Sequence, residues 1–235
     1  YGGFDGFDIT EKEPFNASRA MQHETATELN SAMFYSAKKA VDMFSDPEFV
    51  EGNVLTAPGI VNEGLTTHML NTCEGRGDAL ALIDPKGGYE PFSEGGSNGA
   101  RTEQERISAT HVNDVVNNMT SRALNSSYGA VYYPWVRISD TITGASLWAP
   151  PSVAAFGAMS FNDKQAAPWF APAGFNRGGL SAGAAGIPVT NVRSKLTSKE
   201  RDSLYDANIN PIASFPSEGI VIFGQKTLQV TPSAL

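Results

Sequence analysis

Asn53-Val54-Leu55-Thr56-Ala57-Pro58-Gly59 and Ala79-Leu80-Ala81-Leu82-Ile83-Asp84-Pro85 decide the fold class. Each is a short apolar run stopped by a turn signal, the pattern of a buried strand. Between them, Asn62 to Glu74 reads as a helix ended by Gly75 and Gly77. Strand, helix, strand at this spacing is a βαβ unit, which makes the two strands parallel neighbours. Working outward, Thr25 to Phe44 has a helical rhythm (Leu29, Met33, Ala37, Ala40, Val41, Phe44), and Pro47 closes it. Lys86 to Ala100 is a Gly-rich loop, and Arg101 to Ala123 is helical again through Ile107, Val112, Val115, Val116 and Met119.

Ala130-Val131-Tyr132-Tyr133-Pro134-Trp135-Val136 is rich in strand formers, and Pro134 predicts an early end, a bend or a missing ladder bond. Gly144 to Trp148 leads into Pro150-Pro151, which opens a helix to Met159. Asp163 to Pro188 is long, Gly-, Ala- and Pro-rich and without period. Such a loop in a compact domain is functional or held by a partner. Burial of Trp169, Phe170 and Phe175 is expected to keep it ordered. Thr197-Ser198-Lys199-Glu200 is a capping box opening a helix to Asp206, and Gly219 to Gly224 is a last buried strand. The expected fold is α/β: a mostly parallel central sheet flanked by helices on both faces, forming a single compact domain over residues 1–235.

Composition narrows the function. With 17 basic and 25 acidic residues the chain carries a formal charge of −8, which argues against non-specific nucleic-acid binding. At 41% hydrophobic residues it can bury a sizeable core. One cysteine excludes an internal disulfide scaffold and a Cys-rich zinc site. The longest apolar-leaning stretch, Leu147 to Phe161, is interrupted by prolines and falls short of the roughly 20 residues of a spanning helix. The opening has no basic secretion n-region and no initiator Met, which predicts a processed product or an excised piece.

Chemical motifs are sparse. No Gly-x-Ser-x-Gly elbow occurs, and His23, His68 and His111 fall on three separate predicted helices. Cys73 reads as a small packing residue. Gly95-Gly96-Ser97-Asn98-Gly99 lacks the Lys-Ser/Thr of a phosphate loop. Asp5, Asp8, Glu11 and Glu13 cluster but match a calcium loop poorly. Tyr1-Gly2-Gly3-Phe4 matches an opioid-peptide start by coincidence, and three Asn-x-Ser/Thr sites are plain polar residues without a secretion signal. No catalytic, cofactor-binding or metal-ligating residue is assigned.

Three ordered segments are more specific. Ala167-Pro168-Trp169-Phe170-Ala171-Pro172-Ala173-Gly174-Phe175-Asn176-Arg177-Gly178 resembles the Trp-x-(Ser/Ala)-Pro-Ala-Gly-x-Asn-Arg-Gly segment of contractile-tail sheath proteins of bacteriophages. Glu200-Arg201-Asp202-Ser203-Leu204-Tyr205, followed by Ile209-Asn210-Pro211-Ile212, is similar to that family's Arg-Asp-x-Leu-Tyr-x-x-x-Ile-Asn-Pro. Gly219 to Thr227 resembles its Gly-x-x-(Val/Ile)-x-Gly-x-(Lys/Arg)-Thr strand. The looser upstream agreement takes in Pro150 to Gly157, Asn162-Asp163 and Gly2-Gly3-Phe4-Asp5-Gly6. Relative to the family pattern, N-terminal and C-terminal segments are expected to be missing.

The resemblance implies a structural, non-enzymatic subunit of a contractile phage tail sheath. It would polymerise around the tail tube and contract to drive the tube through the host envelope. The implied partners are other sheath subunits in helically stacked hexameric rings, the tail tube protein, the baseplate and the tail terminator. Neither nucleic acid nor direct membrane insertion is implied, and this chain alone is expected to be monomeric. The implied location is the virion tail, with assembly in the host bacterial cytoplasm. Two alternatives stand beside it: the sheath of a bacterial contractile injection system, and an α/β enzyme with a pocket at the strand ends near Pro58 to Glu63 and Pro85 to Gly88. Candidate subunit-interface or loop-anchor residues are Trp169, Pro172, Gly174, Asn176, Arg177, Asn210 and Pro211. Fold roles are expected of Trp169 as a core anchor, of Gly174, and of Pro211 after the turn initiator Asn210. Arg177 either satisfies loop carbonyls or anchors an interface.

Overall fold

The computed structural model describes residues 32–85, 112–167, 169–181 and 188–231. The chain begins there with α1 (Ala32–Phe44), β1 (Val54–Thr56), α2 (Glu63–Arg76) and β2 (Leu80–Ile83). β1 and β2 pair in parallel, as the βαβ pattern requires. Asn62 caps α2 by accepting a hydrogen bond from the Leu65 N–H at 2.8 Å. Gly77 in the left-handed region ends the helix, so Gly75 lies inside it and is no terminator. The sequence expectations for residues 25–31, 86–100 and 101–111 lie outside the described residues.

Next come α3 (Val112–Ser121), β3 (Gly129–Tyr133), β4 (Val136–Ser139), β5 (Ser146–Ala149) and α4 (Pro151–Gln165). The single strand expected at Ala130 to Val136 is two strands in two sheets. Pro134 sits at the break, after a cis Tyr133–Pro134 bond. β5 pairs antiparallel with β4, and its half-exposed residues give a weak strand signal in the sequence. α4 runs six residues past Met159, because Asn162 continues the buried face one turn beyond Ala158 without being apolar.

The chain closes with β6 (Val189–Val192), α5 (Ser198–Asp206), β7 (Ile209–Phe215) and β8 (Gly219–Ile222). The capping box is present: Thr197 Oγ1 accepts from the Glu200 N–H, and Glu200 accepts from the Thr197 N–H at 2.7 Å. Ile209-Asn210-Pro211 is not a turn but the start of β7. Pairing of β7 with β8 begins at Ile212, so the N–H that Pro211 lacks is not missed in that ladder.

The main sheet has the order β1-β2-β3-β7-β8, parallel through β7 and closed by the antiparallel β7–β8 hairpin. A smaller antiparallel sheet, β5-β4-β6, stands beside it. Strand side chains alternate between two cores. Ala81, Ile83, Val131, Tyr133 and Ile209 face one core with residues of α1, α2, α3 and α5. Leu82, Ala130, Tyr132, Ile212, Ile220 and Ile222 face the other, with α4 and the small sheet. Ala154, Ala155 and Ala158 let α4 lie close to the strands. Helices therefore flank both faces, and the free edge of β8 is where residues 166–181 attach.

Candidate functional site

The 166–181 segment is held by its backbone. Asn162 Nδ2 donates to the Phe170 carbonyl at 2.7 Å, pinning the segment to the end of α4. The Gly174 N–H donates to Ile222 O at 2.8 Å, the Ile222 N–H to Gly178 O at 2.8 Å, and the Leu180 N–H to Ile220 O at 2.8 Å. The Ile220 N–H donates to Ser181 Oγ at 2.7 Å. Gly179 forms a β-bridge to Val221. The segment thus covers the β8 edge, and Leu180 enters the second core. Two glycines are required. Gly174 has φ +80°, and a Cβ on Gly178 would stand 2.6 Å from Ile222 O.

The largest aromatic side chain does not hold this segment down. Trp169 is 82% exposed, so the core-anchor expectation fails; its ring meets Phe170 at 6.4 Å between centroids. Phe170 and Phe175 are about half exposed. The Arg177 guanidinium lies 4.5 Å from the Phe170 ring centre, and its Nε–H donates to Ala171 O at 3.1 Å. One carbonyl is thereby satisfied, and the rest of this exposed guanidinium remains available. Asn176 is exposed and Pro172 half-buried.

Phe175 also joins two rings that the sequence reading did not select. Phe215 and Phe223 lie 5.2 and 5.7 Å from it, and 5.3 Å from each other. Arg201 on α5 stands 5.2 Å from the Phe215 ring centre. Phe223 was expected inside the last buried strand, yet β8 ends at Ile222 and Phe223 is exposed. The result is a surface formed by the exposed rings of Phe175 and Phe223 and the half-buried ring of Phe215, edged by two arginines. It has the composition of interface anchors: aromatic area with a planar cation stacked on it.

Asn210 and Pro211 belong elsewhere. Asn210 is fully buried; its Nδ2 donates to Val131 O at 3.1 Å and Lys226 O at 2.8 Å. Its Oδ1 accepts from the Lys226 N–H at 2.7 Å. Lys226 Nζ in turn donates to Tyr205 O at 2.8 Å and lies 3.9 Å from the Tyr205 ring centre. The second and third sequence segments therefore interlock through Tyr205, Asn210 and Lys226. These three residues fasten the chain after β8 to the sheet.

The strand-end position where an α/β enzyme would place its chemistry holds Asp84. Its carboxylate accepts from the Gly59 N–H at 3.0 Å, the Ser152 N–H at 3.0 Å and the Ser152 hydroxyl at 2.8 Å. Burial pushes its pKa up to about 6 despite these bonds. The group is perturbed, but both oxygens are engaged and buried. It serves as a cap for α4, whose own Ncap residue, Pro150, offers no side-chain bond. Burial likewise raises the Cys73 thiol to about 11, far from a reactive thiolate. A cavity of about 430 Å³ between α3, α5 and residues 228–231 is lined by Met119, Leu124, Leu228 and Asp206 among others. Among the described residues no cluster of three metal-ligating side chains occurs. Asp5, Asp8, Glu11 and Glu13 lie outside them. No described helix is long and apolar enough to cross a membrane.

Known proteins resemble the chain in sequence and in fold. It is 26% identical over 203 residues to the tail sheath protein of Vibrio phage KVP40, and 25% identical over 210 residues to that of Enterobacteria phage T4. Each match covers 83% of this chain. The chain is similar in sequence to phage tail sheath proteins. It spans 29% of the length of each of those two sheath proteins. A third match, to the tail sheath protein of Salmonella phage ViI, is 30% identical over 52% of the chain and 18% of the relative. The fold is shared with contractile assemblies. A chain of the anti-feeding prophage baseplate superposes with TM-score 0.52 and 21% identity, over 82% of this chain and 42% of that one. A chain of the contracted PVC sheath complex of an extracellular contractile injection system gives TM-score 0.52 and 18% identity, over 98% and 52%. No protein-family model matches the chain.

Proposed function

We propose that residues 1–235 form a core domain of a contractile phage tail sheath subunit, a structural protein without a catalytic step. The sequence kinship to two phage tail sheath proteins across 83% of the chain carries this reading. The subunit polymerises around the tail tube as stacked hexameric rings and meets the baseplate and the tail terminator at the ends. It resides in the virion tail after assembly in the host cytoplasm. Contraction drives the tube through the envelope by rigid-body repacking of subunits. The structure supports this in physical terms. The 166–181 segment has a fixed backbone and outward-facing aromatic and arginine side chains, so it can exchange partners without refolding. Trp169, Pro172, Asn176 and Arg177 serve that surface; Gly174, Asn210 and Pro211 hold the scaffold.

Immunogold labelling of lysates from cells producing contractile particles tests the assignment. Antibody to the chain should decorate the striated sleeve outside the tube. Label confined to capsids, to tube ends or to soluble protein would overturn it.

A further inference from the structure

Arg177 and Arg201 stand at the rim of the ring surface, on a chain whose net charge is −8. Among the described residues neither has a carboxylate within ion-pair distance; the ion pairs found there are His68–Asp42 and Arg76–Asp78. Each spends one N–H on a backbone carbonyl, Ala171 O for Arg177 and Leu196 O for Arg201. A guanidinium has five, so each retains donors for a planar acidic partner. Glu200, the acid beside Arg201 in sequence, is turned to the start of α5, where it accepts from Thr197. The surface therefore asks for an apolar knob surrounded by carboxylates.

The opposite edge of the main sheet supplies such a knob. Asp46-Pro47-Glu48-Phe49-Val50-Glu51 precedes β1, and its three acids are exposed. Phe49 is 67% exposed at the middle of the turn. The knob is rigidly presented. The Phe49 and Val50 N–H groups both donate to Asp46 O, at 3.2 and 3.1 Å. From beneath, Arg76 donates to Phe44 O at 2.6 Å, Val50 O at 3.1 Å and Gly52 O at 3.2 Å. Asp78 matches the Arg76 charge at 2.7 Å, so the three turn carboxylates keep their field. β1 and β8 are the two edges of a five-stranded sheet. Four strand spacings of about 4.8 Å put them about 19 Å apart, so one chain's knob cannot reach its own ring surface by local movement.

We propose that the ring and arginine surface beside β8 receives the 46–51 turn of a second copy of this chain. The proposal rests on the sheath reading and names the surfaces that reading leaves open. Phe49 enters among Phe175, Phe215 and Phe223, while the turn carboxylates meet Arg177 and Arg201. Knob and socket lie on different edges, so the contact is heterologous. Each pairing leaves one knob and one socket free, and repetition gives a ring or a helix instead of a closed dimer. Rim charges steer the approach and lend it salt sensitivity, while the rings supply the desolvated centre.

Site-directed disulfide formation between two variants of the chain tests this. Glu48→Cys places a thiol on the knob and Asn176→Cys one on the socket, and the native Cys73 is buried. A mixture of the two should form the heterodimer at least 10-fold faster than either variant forms a homodimer. A chain carrying both cysteines should give a ladder of oligomers. Adding Arg177→Glu to the socket variant should slow the reaction several-fold, and Glu51→Lys on the knob variant should restore it. Equal heterodimer and homodimer rates, or no ladder, overturn the pairing. Sedimentation velocity of the unmodified chain is run alongside. Self-association without selective cross-linking removes this surface pair but leaves the sheath assignment standing, which the immunogold experiment decides separately.

Discussion

Replacing Asn210 by Ala should cost far more than its place in an Asn-Pro dipeptide suggests. The side chain makes three hydrogen bonds to backbone groups of two other segments, Val131 O, Lys226 O and the Lys226 N–H. Truncation leaves two acceptors and one donor without this partner, each worth about 1–3 kcal/mol when buried. Val131 is fully buried, whereas Lys226 is half-buried and recovers part of its loss through water. The net expectation is about 3–4 kcal/mol. For a chain of this size that is a fall in melting temperature of about 6–16 °C. Differential scanning calorimetry reads it, and amide exchange at Lys226 should accelerate beyond the global effect.

Asn210→Asp preserves the shape of the side chain while changing its charge. One carboxylate oxygen can still accept from Lys226, but the other faces the two carbonyls that the amide had served. The ionised form is disfavoured there, so the new carboxyl has a raised pKa and the variant regains stability relative to wild type as pH falls through it. A loss below about 1 kcal/mol for Asn210→Ala, or an Asn210→Asp deficit unchanged by acid, would refute the clamp.

The remaining expectations are quicker to test. The Asp84 pKa is about 6 in the folded chain against 3.8 as its ordinary value, so the folded state holds the extra proton between those limits. The associated stability, about 3 kcal/mol, is fully present below pH 3.8 and lost as pH rises through 6; urea unfolding of wild type and Asp84→Asn should therefore diverge across this window, and parallel curves would contradict it. Trp169→Ala should change stability by less than about 0.5 kcal/mol, because the indole is 82% exposed; a loss of core size, about 3 kcal/mol, would mean that it is buried. Gly178→Ala should cost about 2 kcal/mol in chemical denaturation, since its Cβ would lie 2.6 Å from Ile222 O and the segment would lift from β8; an unchanged midpoint would show that the backbone contact is slack.

The parts legible from sequence are those whose signals are local. The first two strands and α2 follow from apolar runs bounded by breakers, and α5 from a capping box within four residues. β7 was lost because Asn210 and Pro211 carry strong turn preferences. Those preferences yield when the amide finds partners 79 and 16 positions away, which no window contains. Trp169 was misplaced by the default that large aromatics turn inward, a tendency that says nothing of a particular loop. The ring surface has no local sequence signature for a third reason. Phe215 and Phe223 flank a hairpin and meet Phe175 only because the 166–181 segment pairs with the edge of β8.

That pairing separates two jobs within one run of residues. A loop ordered by burying its own aromatics must keep them covered, and any partner reaching for those rings would have to unfold it. Here the backbone bonds to Ile220 and Ile222, together with the insertion of Leu180, fix the path. The rings are left outside the core, each forgoing up to about 1.5–3 kcal/mol of burial. This unclaimed apolar area is available to association, and a partner can take it or release it without disturbing the sheet beneath. Asn210 does the reverse: fully buried, it spends its amide inside the chain on Val131 and Lys226. A subunit that must change neighbours while remaining folded needs both kinds of residue, kept on separate atoms.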